Sequence, residues 1–221
     1  MSEAILVPHP PLDKPDLPMT AEAFLAWEHT GIAEWVNGEV FHMSVKIEHQ
    51  RVVDFLIQLI GLFAKVMRLG RVVSAPYAMR LAEVTAVREP DVMFVAQENI
   101  ARITSAVLEG PADLIVEVVS EESVSRDRID KFEEFEKAGV REYWIIDPRI
   151  NRSRCDFYTL YKGKYRAGLI DDDDIYHSTV LPGFWLKTDW LWQTDPDAFR
   201  ALVEILGPER LNEAAKAILQ D

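Results

Sequence analysis

Residues 114–119 read Leu-Ile-Val-Glu-Val-Val, and this stretch decides the fold. It is apolar except for Glu117, which is typical of a strand buried on both faces in the middle of a sheet. A helical pattern follows over residues 124–138 and ends near Gly139, and residues 142–147, Glu-Tyr-Trp-Ile-Ile-Asp, predict a second central strand. The three segments form a strand–helix–strand unit, so the two strands should be parallel with a right-handed crossover.

N-terminal to this unit, the sequence predicts one long helix among strands that are joined by hairpins. Asn37-Gly38 is the best hairpin turn signal in the chain, and Gly70 is a plausible end for the long helix. Hairpin-linked strands beside a parallel unit indicate a mixed sheet. The predicted elements are helices at 21–29 and 46–68 and strands at 33–36, 39–43, 71–75, 77–82 and 91–96.

C-terminal to the unit, a hairpin closes around Lys162-Gly163, between strands at 155–161 and 164–169. Residues 97–112 are predicted to be a loop, and the last ~25 residues are predicted to be helical. The fold class we expect is α/β (α+β), with a central mixed β-sheet flanked by helices.

Three parts of the chain differ in composition. Residues 1–18 contain five prolines and are predicted to be an extended arm. Residues 19–170 are predicted to form the main domain. Residues 171–221 are predicted to be an acidic extension whose helices pack on the same domain.

The composition limits the compartment and the partners. The single cysteine, Cys155, excludes an intrachain disulfide. We see no signal peptide and no run of ~20 apolar residues, so we expect a cytoplasmic protein without a membrane segment. The formal net charge of −13 is unfavourable for phosphate contacts. Residues 171–221 hold eleven acidic and four basic residues, so the rest of the chain can still carry a local basic patch.

Two carboxylates stand on predicted central strands. Glu117 lies within an apolar strand, where a carboxylate is costly unless it is paired or binds a cation. It could instead be bonded to a backbone group or to an arginine. Asp91 follows Pro90, and Pro-Asp is also common turn chemistry. If the two strands are neighbours, these carboxylates converge, and oxygen ligands of this kind suit Mg²⁺ or Mn²⁺.

Two further residues have competing interpretations. Lys131 lies four residues after Asp127 on the predicted helix, so the two side chains share a face. This spacing alone favours an ordinary exposed ion pair between them. The alternative is a lysine that points toward the carboxylates and stabilises charge developing at a phosphorus. His49 opens the long helix, where it could bond a local backbone carbonyl or contact substrate. No second histidine stands at ligand spacing, so His49 is not predicted to bind metal.

Six segments, in order, resemble the Uma-type family of restriction-endonuclease-like proteins. The resemblance runs from Glu34 to Tyr161 and leaves out the proline arm and the acidic tail. Each segment is weakly specific, whereas the ordered set is fairly specific. The segments are residues 34–39, His49 and residues 88–92, 114–120, 127–131 and 139–147.

The Uma-type family is similar to the PD-(D/E)xK nuclease superfamily, so the resemblance implies a restriction-endonuclease-like fold and metal-dependent hydrolysis of phosphodiester bonds. Carried over by position, it makes Asp91 and Glu117 metal ligands, with the backbone carbonyl of Val118 as a third. It also makes Glu34 the early acidic residue that completes the metal site, and a catalytic residue. The other interpretation of Glu34 is an exposed carboxylate of the hairpin.

One position departs from the superfamily pattern. The superfamily usually has a lysine two residues after the second acid, and this chain has Val119 there. The resemblance implies that Lys131, on the next helix, is the catalytic lysine instead. It also offers Ser120 and Asp127 as residues that orient the acid and the lysine.

These observations leave three functions open. The first is a Mg²⁺- or Mn²⁺-dependent endonuclease that acts on DNA. The second is a catalytically inactive module of the same fold that binds DNA or protein. The third is an acidic interaction protein whose carboxylates are only structural. We also expect a homodimer, because the tryptophans at 185, 190 and 192 could hold a second protomer, although they could equally be packing residues.

Overall fold

A six-stranded sheet and a five-stranded sheet form the framework of the described part of the chain. The computed structural model describes residues 18–27, 32–43, 46–120, 129–149 and 151–219. The helices in these ranges are α1 (Ala21–Ala26), α2 (Ile47–Val66), α3 (Lys131–Ala138) and α4 (Ala198–Ile218). The strands are β1 (Ile32–Val36), β2 (Glu39–Met43), β3 (Gly70–Val73), β4 (Ala78–Leu81), β5 (Ala86–Arg88), β6 (Val92–Ala96), β7 (Val107–Glu109), β8 (Leu114–Val118), β9 (Glu142–Asp147), β10 (Arg154–Tyr161), β11 (Lys164–Ala167), β12 (Ile175–His177) and β13 (Trp185–Lys187).

The six-stranded sheet has the order β11-β10-β9-β8-β6-β3. Strands β8 and β9 are parallel, with Leu114 opposite Glu142 and Val118 opposite Ile146. The other neighbouring pairs in this sheet are antiparallel. The predicted fold class, a mixed sheet flanked by helices, is therefore confirmed, and so is the parallel strand pair on either side of α3.

Both faces of this sheet are covered, which explains why β8 reads as a nearly continuous apolar run. On one face, Val116 and Trp144 pack in a core with residues of α2 and α4. On the other face, Ile115 and Tyr143 pack with Phe135 of α3. Alternate residues of a strand point to opposite faces, so each face requires apolar side chains at every second position.

The five-stranded sheet has the order β2-β1-β5-β4-β7 and carries its own small core with α1. Phe24, Trp35 and Val87 are buried in that core. Strands β1 and β5 pair in an antiparallel manner, with Trp35 opposite Val87. This sheet therefore places β1 and β5 as neighbours, and each contributes a charged residue to the site described below.

Several predicted boundaries were wrong in detail. The region 97–112, predicted to be a loop, contains a 3₁₀ turn (Gln97–Arg102) and strand β7. Strands β5 and β7 have only three residues each, too few to show a period of two in sequence. The predicted helix at 124–138 is described from residue 129 onward and has α-helical geometry from Lys131. Residues 121–128, which include Asp127, lie outside the described residues.

The C-terminal segment packs against the same core as α2. Leu202 of α4 and Trp190 are buried there, and Trp185 lies 5.2 Å from Trp190 between ring centroids. The predicted terminal helix corresponds to α4, which kinks at Gly207 (φ 72°) before Pro208. Strands β12 and β13 were not predicted, because each is again three residues long. In the described residues no helix has the length and apolar content needed to cross a lipid bilayer.

One buried carboxylate bonds the C-terminal segment to the six-stranded sheet. Glu142, at the start of β9, is 0% exposed. Its two oxygens accept hydrogen bonds from Trp144 Nε1, the hydroxyls of Tyr176, Ser178 and Thr179, and the backbone N–H groups of Thr179 and Val180. A carboxylate accepts up to about four well-directed bonds, so Glu142 is fully occupied as an anchor.

Candidate functional site

Lys131 lies buried between two carboxylates. Its Nζ is 2.8 Å from Glu117 Oε1 and 2.9 Å from Glu34 Oε1, and the Lys131 side chain is 0% exposed. Burying an ammonium costs several kcal/mol unless charges and hydrogen bonds offset it, which these two partners do. The interpretation of Lys131 as an exposed ion pair is therefore wrong. The exposed-carboxylate interpretation of Glu34 is wrong for the same reason, since Glu34 is 0% exposed.

A second buried cation extends this network. Arg88 of β5 donates from Nη1 to Glu34 Oε2 at 3.0 Å. Its Nε and Nη2 donate to the two oxygens of Glu134, at 2.9 and 2.7 Å. One oxygen of Glu34 thus pairs with Lys131 and the other with Arg88. Such forked pairing fixes both the position and the plane of the carboxylates.

Sequence reasoning gave no role to Arg88 or Glu134. Arg88 was visible only as part of a matched segment, although a guanidinium in the short apolar run Ala86-Val87-Arg88 signals a buried partner. Glu134 lies on α3, 46 residues further along the chain. No periodicity in the sequence connects the two residues.

Asp91 immediately precedes β6, beside Glu117 on β8. The pair Val92 and Val116 is the last one in the antiparallel register, so Asp91 and Glu117 are the next positions outward on adjacent strands. Asp91 is 3% exposed, and its Oδ2 accepts a hydrogen bond from the backbone N–H of Val118 at 2.7 Å. This bond crosses to the neighbouring strand, so the local turn interpretation does not describe Asp91.

His49 contacts the same carboxylate from α2. Its Nε2 lies 3.1 Å from Asp91 Oδ2, and the residue is 7% exposed. The alternative of a bond from His49 to a local backbone carbonyl is therefore wrong. In the described part of the chain, His49 Nδ1 is buried and has no hydrogen-bond partner. Ser120 follows β8 and lies on the wall of a cavity that His49 also lines.

The connection between β5 and β6 carries another buried acid. Glu89 is 2% exposed and accepts a hydrogen bond from the backbone N–H of Ala33 at 3.0 Å. Burial raises the pKa of Glu89 to about 7, and repulsion from Glu34 adds to the rise. The neighbourhood of Glu34 therefore disfavours a further negative charge unless more positive charge is supplied.

The donor set around Asp91 fits a hard divalent cation. In the described residues both polar contacts of Asp91 use Oδ2, and Oδ1 makes none. The site's carboxylates outnumber its cations by two, counting Asp91, Glu117, Glu34 and Glu134 against Lys131 and Arg88. Within the same residues no group of three or more His, Cys, Asp or Glu side chains could hold a metal. Mg²⁺ commonly uses only one or two carboxylates and keeps several waters, so Asp91 and Glu117 are the side chains that could hold such an ion.

A search of the solved structures gives a neighbour with the same fold. It is the crystal structure of "a putative nuclease belonging to DUF820" from Anabaena variabilis ATCC 29413. The alignment has a TM-score of 0.65 and 16% sequence identity, and it covers 79% of this chain and 98% of that chain. At this identity the likeness concerns the fold. No curated protein matches the chain.

A family model matches the chain over residues 21–189, which include all the residues of the site. The family is described as "Uma2: Putative restriction endonuclease". The match covers well over half of the chain, and it agrees with the six ordered segments found in the sequence. The chain therefore belongs to the Uma2 family.

Proposed function

We propose that the protein is a metal-dependent endonuclease that hydrolyses phosphodiester bonds of DNA. The observation that carries the proposal is the buried chain of contacts Glu34–Lys131–Glu117, beside Asp91 at the ends of two central strands. Two acids on adjacent strands and a lysine in contact with one of them are the chemical groups that such hydrolysis needs. The description of the family as restriction endonucleases supports the same class of reaction.

Asp91 and Glu117 are the side chains that would hold the metal, Mg²⁺ or Mn²⁺, with the Val118 carbonyl as the proposed third ligand. When bound, the metal polarises the scissile phosphate and lowers the pKa of a bound water. Within the chain, His49 and the Val118 N–H fix the orientation of Asp91 through Oδ2. Oδ1, which makes no polar contact within the described residues, is the oxygen that would coordinate the ion.

Lys131 has two roles in this proposal. Its contact with Glu117 fixes that carboxylate in orientation. Its positive charge also lies beside the place where negative charge would develop at the phosphorus, in a site with little solvent to screen it. Glu34 and Arg88 position Lys131 from the other side. In this way α3 supplies the lysine that the strand lacks at Val119.

A catalytically inactive binding module is the second candidate. It is favoured by the net charge of −13 and by the engagement of Lys131 with two carboxylates, which resembles a purely structural network. Such a module needs no divalent metal, so its binding to DNA would not change when EDTA is added. The metal dependence of binding and cleavage therefore separates the two candidates.

The test is cleavage of plasmid and oligonucleotide DNA with Mg²⁺ or Mn²⁺, using Asp91→Asn and Glu117→Gln. These changes keep the side-chain size, and we expect each to reduce the rate by at least about 100-fold. Asp54→Asn, on the exposed side of α2, is the matched control and should cleave at the wild-type rate. Metal-dependent cleavage that survives in the Asp91→Asn/Glu117→Gln double variant would overturn the proposal.

Calorimetry with Mn²⁺ checks the metal site without relying on turnover. Wild type should bind the ion and Glu117→Gln should not.

The homodimer stays a prediction, and it loses part of its motivation because Trp185 and Trp190 pack against each other within one chain. Sedimentation velocity would test it directly.

A further inference from the structure

A basic cavity of about 530 Å³ lies beside the candidate metal site. Three cationic residues line it, namely Lys46, Arg149 and Arg152, together with one acid, Glu48. His49 lies on the same wall and contacts Asp91 with its Nε2. Arg149 also forms a forked pair with the buried Asp147, at 2.8 and 2.7 Å. The three cations therefore stand against two acids, which leaves the cavity wall with a net positive charge. In a chain of net charge −13, such a place favours an anion.

The N-terminus of α2 opens on this cavity. The helix has 20 residues, and its N-cap, Lys46, makes no side-chain capping bond. The first backbone bond of the helix runs from the Gln50 N–H to the Lys46 carbonyl, so the N–H groups of residues 47–49 precede the helical ladder. Such N–H groups, together with the helix dipole, favour a bound anion.

His49 provides an independent sign of a ligand. The residue is 7% exposed and lines the cavity, yet its Nδ1 has no hydrogen-bond partner in the described part of the chain. Its Nε2 is already used by Asp91. A buried ring nitrogen without a partner is costly, so a ligand that reaches Nδ1, directly or through a water, would remove that cost.

We infer that this cavity is a phosphate-binding subsite, which holds a phosphate group of the nucleic-acid strand next to the one at Asp91 and Glu117. The inference rests on the proposed function for the identity of the strand. The chain that leaves β8 connects the two places, because Val119 and Ser120, two and three residues after Glu117, lie on the cavity wall. The phosphate can be internal to the strand or can be its 5′ end, and the two share the same chemistry.

The first test measures oligonucleotide binding in EDTA, where the proposed reaction cannot proceed. Arg152→Ala removes a cation from the cavity wall. Arg154→Ala, whose exposed side chain bonds Asp156 and does not line the cavity, removes the same charge nearby and is the matched control. We expect Arg152→Ala to weaken binding of single-stranded DNA about three- to tenfold and to reduce the salt slope by about one contact. The control should change affinity less than about twofold.

Two probes distinguish the source of the phosphate. If the subsite takes a 5′ end, wild type prefers a 5′-phosphorylated oligonucleotide to its 5′-hydroxyl form, and Arg152→Ala loses that preference. If it takes an internal phosphate, Arg152→Ala weakens both probes equally. Wild-type affinity of Arg152→Ala for both probes overturns the inference.

The second test observes His49 itself. Histidine side-chain NMR with inorganic phosphate, at constant ionic strength against chloride, should shift the His49 signals. The exposed His177 serves as the internal control. A His49 signal that does not move at saturating oligonucleotide also overturns the inference. Both tests are independent of cleavage, so the subsite can stand if the chain proves inactive, and cleavage can stand if the subsite fails.

Discussion

The Lys131 ammonium lies 2.8 Å from the Glu117 carboxylate, and neither side chain reaches solvent. The two residues are 14 positions apart, one on the central strand β8 and the other at the start of the helix that follows it. A lysine placed two residues after the acid would share its strand, whereas this one arrives from α3. The lysine that contacts Glu117 therefore comes from the following helix and not from the strand that carries the acid.

Removing the Lys131 charge should destabilise the protein strongly. Lys131→Met leaves Glu34 and Glu117 buried without their shared cation. We therefore expect the free energy of unfolding, measured in urea, to fall by about 3–5 kcal/mol. Adding Glu34→Gln should recover part of this loss, because one of the uncompensated charges is then absent. Lys164→Met is the control, since Lys164 pairs with Glu136 but is 79% exposed, and we expect it to change the free energy of unfolding much less than Lys131→Met does. Equal effects of the two methionine variants would contradict the buried network.

Arginine and lysine should not be interchangeable at position 88. Arg88→Lys keeps the charge but cannot hold Glu134 with two parallel bonds while also reaching Glu34, so we expect a loss of about 2 kcal/mol. Arg80→Lys, in the neighbouring strand β4, breaks a similar forked pair with Glu109 that is partly exposed. Thermal denaturation should show a smaller loss for Arg80→Lys, and the reverse order would contradict the prediction.

The anchoring role of Glu142 predicts a local effect. Glu142→Gln places an amide NH₂ where a carboxylate oxygen accepted hydrogen bonds. The Trp144 Nε1–H and the backbone N–H groups of Thr179 and Val180 cannot accept in return, so we expect a loss of about 1–3 kcal/mol for each group left unsatisfied. Limited proteolysis should then cut within 171–219 faster than in wild type. Asp171→Asn, in the exposed turn before β12, is the control and should leave the pattern unchanged. Unchanged proteolysis in Glu142→Gln would contradict the anchoring role.

Cys155 should react slowly with alkylating agents. Burial raises the pKa of its thiol to about 12 from a usual value of 9.0, and Asp156 adds to the rise. The reactive thiolate is therefore about 1000-fold scarcer at pH 8 than in an unfolded chain. We expect iodoacetamide to label Cys155 rapidly in urea and very slowly in buffer, with a rate that rises as pH increases from 8 to 11. A fast reaction at pH 8 in the folded protein would contradict the raised pKa.

The central strands and the two acids could be predicted from sequence, for physical reasons. A strand buried on both faces must be apolar at every position, so residues 114–119 and 142–147 stood out, and a charge within such a run demanded a partner. The adjacency of Asp91 and Glu117 followed from placing their strands side by side. The register places them at the same end of adjacent strands.

The rest of the site was not predictable, because its contacts are distant in the chain. The spacing of Lys131 fitted an exposed pair as well as a buried one, and only packing decides between them. The partners of Arg88 lie 54 and 46 residues away, on β1 and α3. Strands of three residues, such as β5 and β7, obtain their geometry from neighbouring strands, and their own side-chain pattern is too short to reveal it.

Glu34 and Arg88 belong to the five-stranded sheet, whereas Glu117 belongs to the six-stranded one, and Lys131 joins them. The charged network therefore joins two sheets that share no strand pairing. An intermediate in which only one sheet has formed would lack half of the network. Its lysine and acids would stay hydrated and would not contact one another. Completion of the candidate site and docking of the two sheets are then one event, so the network can form only when both sheets are in place.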